Sequence, residues 1–303
     1  MSKTIIAIDL GSNSLRILKM DCETKESIGA FHKTVKTADN LATTGKISDG
    51  AVERVILALK EAQDRLDFSD SKIKAVTTEA IRQASNGDEV LAKIKEKTSI
   101  EFEVIDGVAE AKYALTATQN RLKLLGEEPK SFMLVDIGGG STEVLFHYGE
   151  EKSFSKSFPV GIVTITQRFK TLPEISDAIP VLMNPMRSYY NEVVSQYGVV
   201  EMFIAIAGTP TTIAAMKHGM AYKNYDPNKI HGTRLTQKDL VTQLGKLLGM
   251  KSKERVEAVG VNRDDLIASG VLIYDELYNI SGFKESMVID DGVREGVAYS
   301  ECQ

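Results

Sequence analysis

Ile8-Asp9-Leu10-Gly11-Ser12-Asn13-Ser14 and Val135-Asp136-Ile137-Gly138-Gly139-Gly140-Ser141 align without a gap, with Asp, the first Gly and the final Ser in register. Each copy closes a compact apolar run, Thr4–Leu10 in the first case and residues 132–136 in the second, which reads as a buried strand entering a tight turn. Each is followed by two more strand-like stretches, residues 15–20 and 28–34 after the first, Thr142–Tyr148 and Lys152–Phe158 after the second. A repeated motif inside a repeated three-strand start reads as an internal duplication.

Outward from these anchors, helix and strand alternate. Val52, Val55, Ile56, Leu59, Ala62 and Leu66 recur at helical spacing and predict a helix over residues 51–66, capped by Ser48 or Asp49. Residues 73–77 and 102–105 read as strands, and residues 79–84, 88–97 and 109–124 as helices. Gly126-Glu127-Glu128-Pro129 marks a boundary. Beyond it come strands at residues 202–207 and 287–290, with helices between them and a final helix from about Gly292. The expectation is an α/β chain of two related domains, residues 1–126 and 127–303, with the last helix free to pack back on the first.

The bulk numbers fit this reading. The chain has 303 residues, of which 43% are hydrophobic and 26% charged, the composition of a globular enzyme able to bury a substantial core. A net charge of -5 argues against nucleic acid as a partner, yet leaves room for a basic site for a small anion. No apolar run has the length of a membrane span, and the first residues lack the apolar length of a signal peptide; both point to a cytoplasmic protein with no membrane partner. Cys22 and Cys302 read as two inert free thiols. His32, His147, His218 and His231 lack metal-ligand spacing, although His231-Gly232 in a loop is a candidate functional position.

The chemistry lies in the turns. A strand leading into a glycine-rich turn presents consecutive backbone N–H groups to phosphate oxygens, and Ser and Asn side chains add donors. Asp9 and Asp136, at the strand ends, suit a hard cation such as magnesium, and Glu143 adds a second carboxylate beside Asp136. A single such loop is equally a plain strand connection; two in register favour a ligand site. Arg82, one turn into a helix at a strand's carboxyl edge, is either an anion clamp or a solvated surface residue. Glu110, at a helix start, is either a water-orienting base or a first-turn acid complementing the helix dipole. Gly208 and Thr209 follow a strand in a small-residue turn of the kind that borders ligands. Residues 290–296 (DDGVREG) end the last strand without an assigned role. The P-loop and dinucleotide glycine patterns are absent from both loops, and the chain has no Gly-x-Ser-x-Gly elbow.

Taken together, residues 9–16 (DLGSNSLR), 78–86 (TEAIRQASN), 107–111 (GVAEA), 136–143 (DIGGGSTE), 158–169 (FPVGIVTITQRF), 207–209 (AGT) and 291–296 (DGVREG) resemble the exopolyphosphatase / guanosine pentaphosphate phosphohydrolase (Ppx/GppA) family, in its order and over nearly the whole chain. The resemblance implies an actin-like (ASKHA, ribonuclease H-like) duplicated fold whose two domains flank a cleft. It implies magnesium dependence, with Mn2+ as a substitute, and stepwise release of orthophosphate from inorganic polyphosphate or guanosine pentaphosphate, the latter tied to the stringent response. It assigns Glu110 as the catalytic, water-activating residue. Ser12, Asn13, Ser14, Arg16, Arg82, Gly139, Gly140, Ser141, Gly208 and Thr209 become phosphate contacts, and Asp9, Asp136 and Glu143 metal ligands. A homodimer is possible. The chain departs from the family at Ala109, where an acid is usual, at Thr164, where Val-Arg is usual, and in stopping at Gln303 without the helical HD-type domain of larger members. A non-catalytic polyphosphate or alarmone sensor and an actin-like kinase remain as alternatives.

Overall fold

The structure is a computed structural model that describes residues 3–149, 152–260 and 266–302. In chain order the elements are β1 (Thr4–Leu10), β2 (Ser14–Asp21), β3 (Ser27–Thr34), α1 (Leu41–Thr44), α2 (Asp49–Leu66), β4 (Ser71–Thr77), α3 (Glu79–Gln83), α4 (Gly87–Thr98), β5 (Phe102–Val104) and α5 (Gly107–Leu125). After them come β6 (Ser131–Ile137), β7 (Thr142–Tyr148), β8 (Lys152–Phe158), α6 (Ile162–Arg168), α7 (Leu172–Leu182), α8 (Asn184–Tyr197), β9 (Met202–Ile206) and α9 (Gly208–Lys217). The chain ends with α10 (Pro227–Ile230), β10 (Thr233–Leu235), α11 (Gln237–Gly249), α12 (Ser252–Val259), α13 (Ile267–Ser281), β11 (Ser286–Val288) and α14 (Val293–Glu301).

The duplication read from the two motifs appears in the sheets. One sheet runs β3-β2-β1-β4-β5 and the other β8-β7-β6-β9-β11-β10, so the second repeats the first and adds β10 at its edge. In both, the first three strands are antiparallel, the next strand joins the first in parallel and another joins that one in parallel, while the added β10 pairs antiparallel with β11. This is a duplicated, actin-like α/β fold. β10 escapes a pattern reading because three residues carry too little periodicity to declare a strand.

The chain divides into two compact units, Met1–Gln119 with Asp291–Gln303, and Asn120–Asp290. The division falls inside α5, whereas the Gly126 boundary read from the sequence lies just past that helix; turn residues mark where a helix ends, not where contacts change.

In the first unit β1 is apolar at consecutive positions because it is buried on both sides. Ile6, Ile8 and Leu10 join a core with Val52, Val55 and Leu59 of α2 and Ile94 of α4. Ile5 and Ala7 face a separate cluster with Val293, Val297 and Ala298 of α14. Side chains alternate along a strand, so Asp9 shares the face of Ile5 and Ala7. α2 starts as read, with Ser48 accepting the Ala51 N–H at 3.3 Å. In the second unit Met133, Val135 and Ile137 pack into one core with Ile213 and Ala214 of α9 and Val271, Tyr274 and Leu277 of α13.

The two cysteines are not free. Cys22, just after β2, and Cys302, at the end of α14, form a disulfide with Cα atoms 4.9 Å apart. Residues 280 positions apart give no spacing signal, and only the return of α14 to the first sheet brings them together. The bond ties the discontinuous segment of the first unit to its sheet, a role shared by the Lys72–Glu301 ion pair at 2.5 Å. Cys22→Ser is expected to lower unfolding stability by about 2–4 kcal/mol. Urea unfolding with and without reductant checks this, since reductant should bring the parent chain to the variant's midpoint and leave the variant unmoved.

Candidate active site

In both halves the Asp-x-Gly-x-x-Ser loop is a tight turn closed by one bond. The Gly11 N–H donates to Ser14 O at 3.0 Å, and the Gly138 N–H to Ser141 O at 2.9 Å. The loop carbonyls are then taken up by neighbouring chain. Ser12 O accepts from Ala38 N–H at 2.8 Å, and Asn13 O from the N–H groups of Val35 and Lys36, each at 2.9 Å. In the second loop Gly138 O accepts from Ile162 N–H at 3.0 Å and Gly139 O from Val163 N–H at 2.8 Å, so the loop caps the N-terminus of α6. Among the described residues, the N–H groups of Ser12 and Asn13 and those of Gly139, Gly140 and Ser141 donate to no protein acceptor. Carbonyls committed and amides uncommitted is the polarity of an anion cradle.

The loops are not equivalent. A Cβ on Gly11 would sit 3.7 Å from Ser14 O, ordinary contact, but one on Gly138 would sit 2.9 Å from Ser141 O. Gly161, at the mouth of α6, leaves no room at all: a Cβ there would lie 2.5 Å from Gly140 C and 2.6 Å from Gly139 C. Thr164, where the family has arginine, turns its hydroxyl to the same junction. Its Oγ1 accepts the Gly161 N–H at 3.0 Å and reaches Gly161 O at 3.0 Å.

Behind each loop, three strands place one residue each in a row. In the first sheet Asp9 pairs with Arg16, and Arg16 with His32. In the second Asp136 pairs with Glu143, and Glu143 with Ser157. Where the first row has a cation the second has an acid. Glu143 is buried at 7% exposure, and its Oε1 accepts from Ser141 Oγ at 2.6 Å and Ser157 Oγ at 2.7 Å. Two carboxylates side by side on adjoining strands fit a hard cation that completes its shell with water and phosphate oxygens. Among the described residues no group of three or more His, Cys, Asp or Glu side chains is arranged to hold a metal alone.

Asp9 has a different setting. Burial pushes its carboxyl from 3.8 up to about 6, against the pull of the Arg16 and Arg294 charges and with a further push from Glu295. Arg294 and Glu295 belong to the DGVREG segment, whose role the sequence left unassigned. Glu295, itself buried, accepts the Gly292 N–H at 2.8 Å at the start of α14 and holds the Arg294 guanidinium. The signal that would have found them is the alternation placing Asp9 on the α14 face.

Arg82 is held at the carboxyl edge of the first sheet. Its Nη1 donates to Ile105 O at 2.5 Å, and its Nη2 pairs with Glu79. The clamp position therefore abuts the segment that leads from β5 into α5. There Asp106 caps the helix through Ala109 N–H at 2.8 Å, and Glu110 lies in the first turn, partly buried. Ala109, where the family has an acid, packs against the α14 cluster. Asn86, at the end of the TEAIRQASN segment, is structural: its amide exchanges two bonds of 2.9 Å with the backbone of Ile47.

The turn after β9 is strained. Ala207 has φ 73°, a left-handed conformation costly for a residue with a Cβ, and it aims the first turn of α9. Gly208 opens that helix. Thr209 is buried with its Oγ1 against Gly270 of α13, and among the described residues that oxygen has no hydrogen-bond partner. His231 accepts the Asp290 N–H on Nδ1 at 3.2 Å and so braces the exit from β11.

Comparison with known proteins points to one family. The profile of the Ppx/GppA phosphatase family matches residues 21–303. Exopolyphosphatase 2 of Mycobacterium tuberculosis is 28% identical over 98% of this chain and 98% of its own length. A guanosine-5'-triphosphate,3'-diphosphate pyrophosphatase of Pseudoalteromonas translucida is 27% identical over 97% of this chain but 58% of its own length. Among solved structures, the Aquifex aeolicus member of the Ppx/GppA family superimposes with a TM-score of 0.75 at 30% identity, covering 98% of this chain and 97% of that one.

Two outcomes test the site as a structure. Gly161→Ala forces the second loop aside, and a displacement of that kind is expected to weaken tripolyphosphate binding, measured by calorimetry, by about tenfold or more. Asp9 binds its proton more tightly in the folded chain than in the unfolded one, so its ionisation opposes folding once the pH passes from 3.8 towards 6. At pH 8 the cost is about 3 kcal/mol at most. Metal-free Asp9→Asn should therefore melt higher than the parent at pH 8, with the gain vanishing near pH 4; an equal gain at both values would remove buried charge as the cause.

Proposed function

The chain belongs to the Ppx/GppA phosphatase family, and we propose that it releases orthophosphate from the end of inorganic polyphosphate by metal-assisted attack of water. The observation that carries this reading is the pair of loops in which the carbonyls of Ser12, Asn13, Gly138 and Gly139 are committed and, among the described residues, the N–H groups of Ser12, Asn13, Gly139, Gly140 and Ser141 are not. Repeated anion cradles suit a repeated anion, and a full-length match to an exopolyphosphatase supports the same substrate class.

In this mechanism the N–H groups of Ser12, Asn13, Gly139, Gly140 and Ser141 receive phosphate oxygens, and Ser14, Arg16, Gly208 and Thr209 border them. Arg82, anchored by Ile105 O, supplies a fixed multi-donor cation where negative charge grows in the transition state. Asp136 and Glu143 would hold a divalent ion, Mg2+ or Mn2+, whose chemistry when bound is to neutralise phosphate oxygens. Asp9, whose carboxyl burial holds towards its protonated form, is the weaker ligand. Glu110 accepts hydrogen bonding from a water and takes its proton as the oxygen attacks phosphorus in line with the departing phosphoanhydride oxygen. It lies in the first turn of α5, the helix that follows β5.

The test is orthophosphate release with Mg2+ from short polyphosphate, long polyphosphate, guanosine pentaphosphate and ATP in parallel. Polyphosphate is expected to give the highest kcat/KM; preference for guanosine pentaphosphate would move the assignment to that nucleotide, and binding without release would make the chain a sensor. Glu110→Ala should keep the melting temperature and lose about 100-fold or more in kcat. Near-normal turnover in that variant would remove Glu110 from the chemistry.

A further inference from the structure

The row Asp136–Glu143–Ser157 spans β6, β7 and β8. Its last member has no role in the reading above, yet it makes one of the two short bonds to the buried Glu143 carboxylate. Ser157 Oγ and Ser141 Oγ reach the same oxygen, Oε1, at 2.7 and 2.6 Å. Two donors converging on one oxygen fix both the rotamer and the rotation of the carboxylate plane, and they draw electron density toward Oε1. The same geometry commits the Ser141 hydroxyl, so that loop's contact with phosphate falls to backbone N–H groups.

We infer that Ser157, together with the Ser141 hydroxyl, is a positioning residue that orients Glu143 for the divalent ion, and that it acts on metal binding without touching substrate. The inference rests on the proposed metal role of Asp136 and Glu143. Serine suits this position because it donates without adding charge, and on a strand it points from β8 to the facing residue of β7 at a fixed height. The first sheet offers a contrast, since the corresponding row ends Arg16–His32 and provides no such hydroxyl pair for Asp9.

The experiment compares the full chain with Ser157→Ala, Ser157→Thr, Ser141→Ala and the Ser141→Ala/Ser157→Ala double variant. Ser153→Ala, on the same strand but bonded to His147 at 3.0 Å, is the control. Mn2+ binding is read by electron paramagnetic resonance in substrate-free buffer, and orthophosphate release from polyphosphate is titrated with Mg2+. Loss of an outer-shell partner is expected to weaken Mn2+ binding and raise the half-saturating Mg2+ concentration by about tenfold or more. At saturating Mg2+ the kcat of Ser157→Ala should stay within about threefold of the parent, Ser157→Thr should recover most of the affinity, and Ser153→Ala should match the parent. The double variant should fall short of the product of the single effects, because both hydroxyls serve one oxygen. If the parent binds Mn2+ and turns over substrate while Ser157→Ala shows unchanged metal constants, or loses kcat equally at every Mg2+ concentration, Ser157 has no positioning role and the proposed function stands. If Ser157→Ala unfolds, Ser157→Thr and Ser141→Ala decide on the same readouts. A parent chain that binds no metal overturns this inference and the metal assignment together.

Discussion

The capping of α6 by the second loop is the interaction on which the candidate site depends. A helix leaves its first N–H groups without partners, and a tight turn leaves its carbonyls without partners. Here each deficit meets the other: Ile162 and Val163 donate to Gly138 and Gly139. The consequence is directional. With the carbonyls turned to the helix, the loop's own N–H groups are left on the opposite side, so the cradle's polarity follows from how the helix is satisfied. Gly161 makes the approach possible, because a side chain there would occupy the space of the loop backbone. The first loop reaches the same polarity by another route, with the turn at Val35–Ala38 in place of a helix.

A second constraint governs the first unit, which is built from two distant stretches of chain. Its sheet lacks a cover on one face until α14 returns, and the returning helix brings Val293 and Val297 to Ile5 and Ala7, Arg294 and Glu295 to the neighbourhood of Asp9, and Cys302 to Cys22. Gly296 lets this helix touch α5, since a Cβ there would lie 2.5 Å from Tyr113 C. Tyr113 stands one turn after Glu110, so α14 braces both the strand that carries Asp9 and the helix that carries the proposed base. The charge balance at Asp9 is thus a property of the assembled unit, and of residues separated by most of the sequence.

This explains what the sequence made legible. Features set by neighbours in the chain were readable: the bounds of β7 and β8, the Ser48 cap, the apolar stripe of α2 and the glycine turns all depend on local periodicity and turn chemistry. Even the duplication needed only a short match and the order of elements. Features set by long-range return were not. The disulfide, the DGVREG contacts with Asp9 and the edge strand β10 have no local signature, because their partners lie across the sheet and their own segments are short. Asn86 marks an intermediate case. Its motif drew attention as a candidate anion site, while its side chain holds the Ile47 backbone; a functional motif also carries the residues that keep it in place.

The departures from the family pattern at Ala109 and Thr164 also acquire local reasons. An acid at position 109 would face the apolar contact between α5 and α14, where an uncompensated charge is costly, and alanine removes that cost while adding a methyl to the cluster. Threonine at position 164 gives up a long cation and gains a hydroxyl at the α6 junction, where its bond with Gly161 stiffens the turn that shapes the second loop. The second exchange trades charge for fixed backbone geometry. A site built in this way relies less on flexible cations gathering round an anion and more on amides set in place before the anion arrives, and such preorganised dipoles need no rearrangement when charge develops on the phosphate.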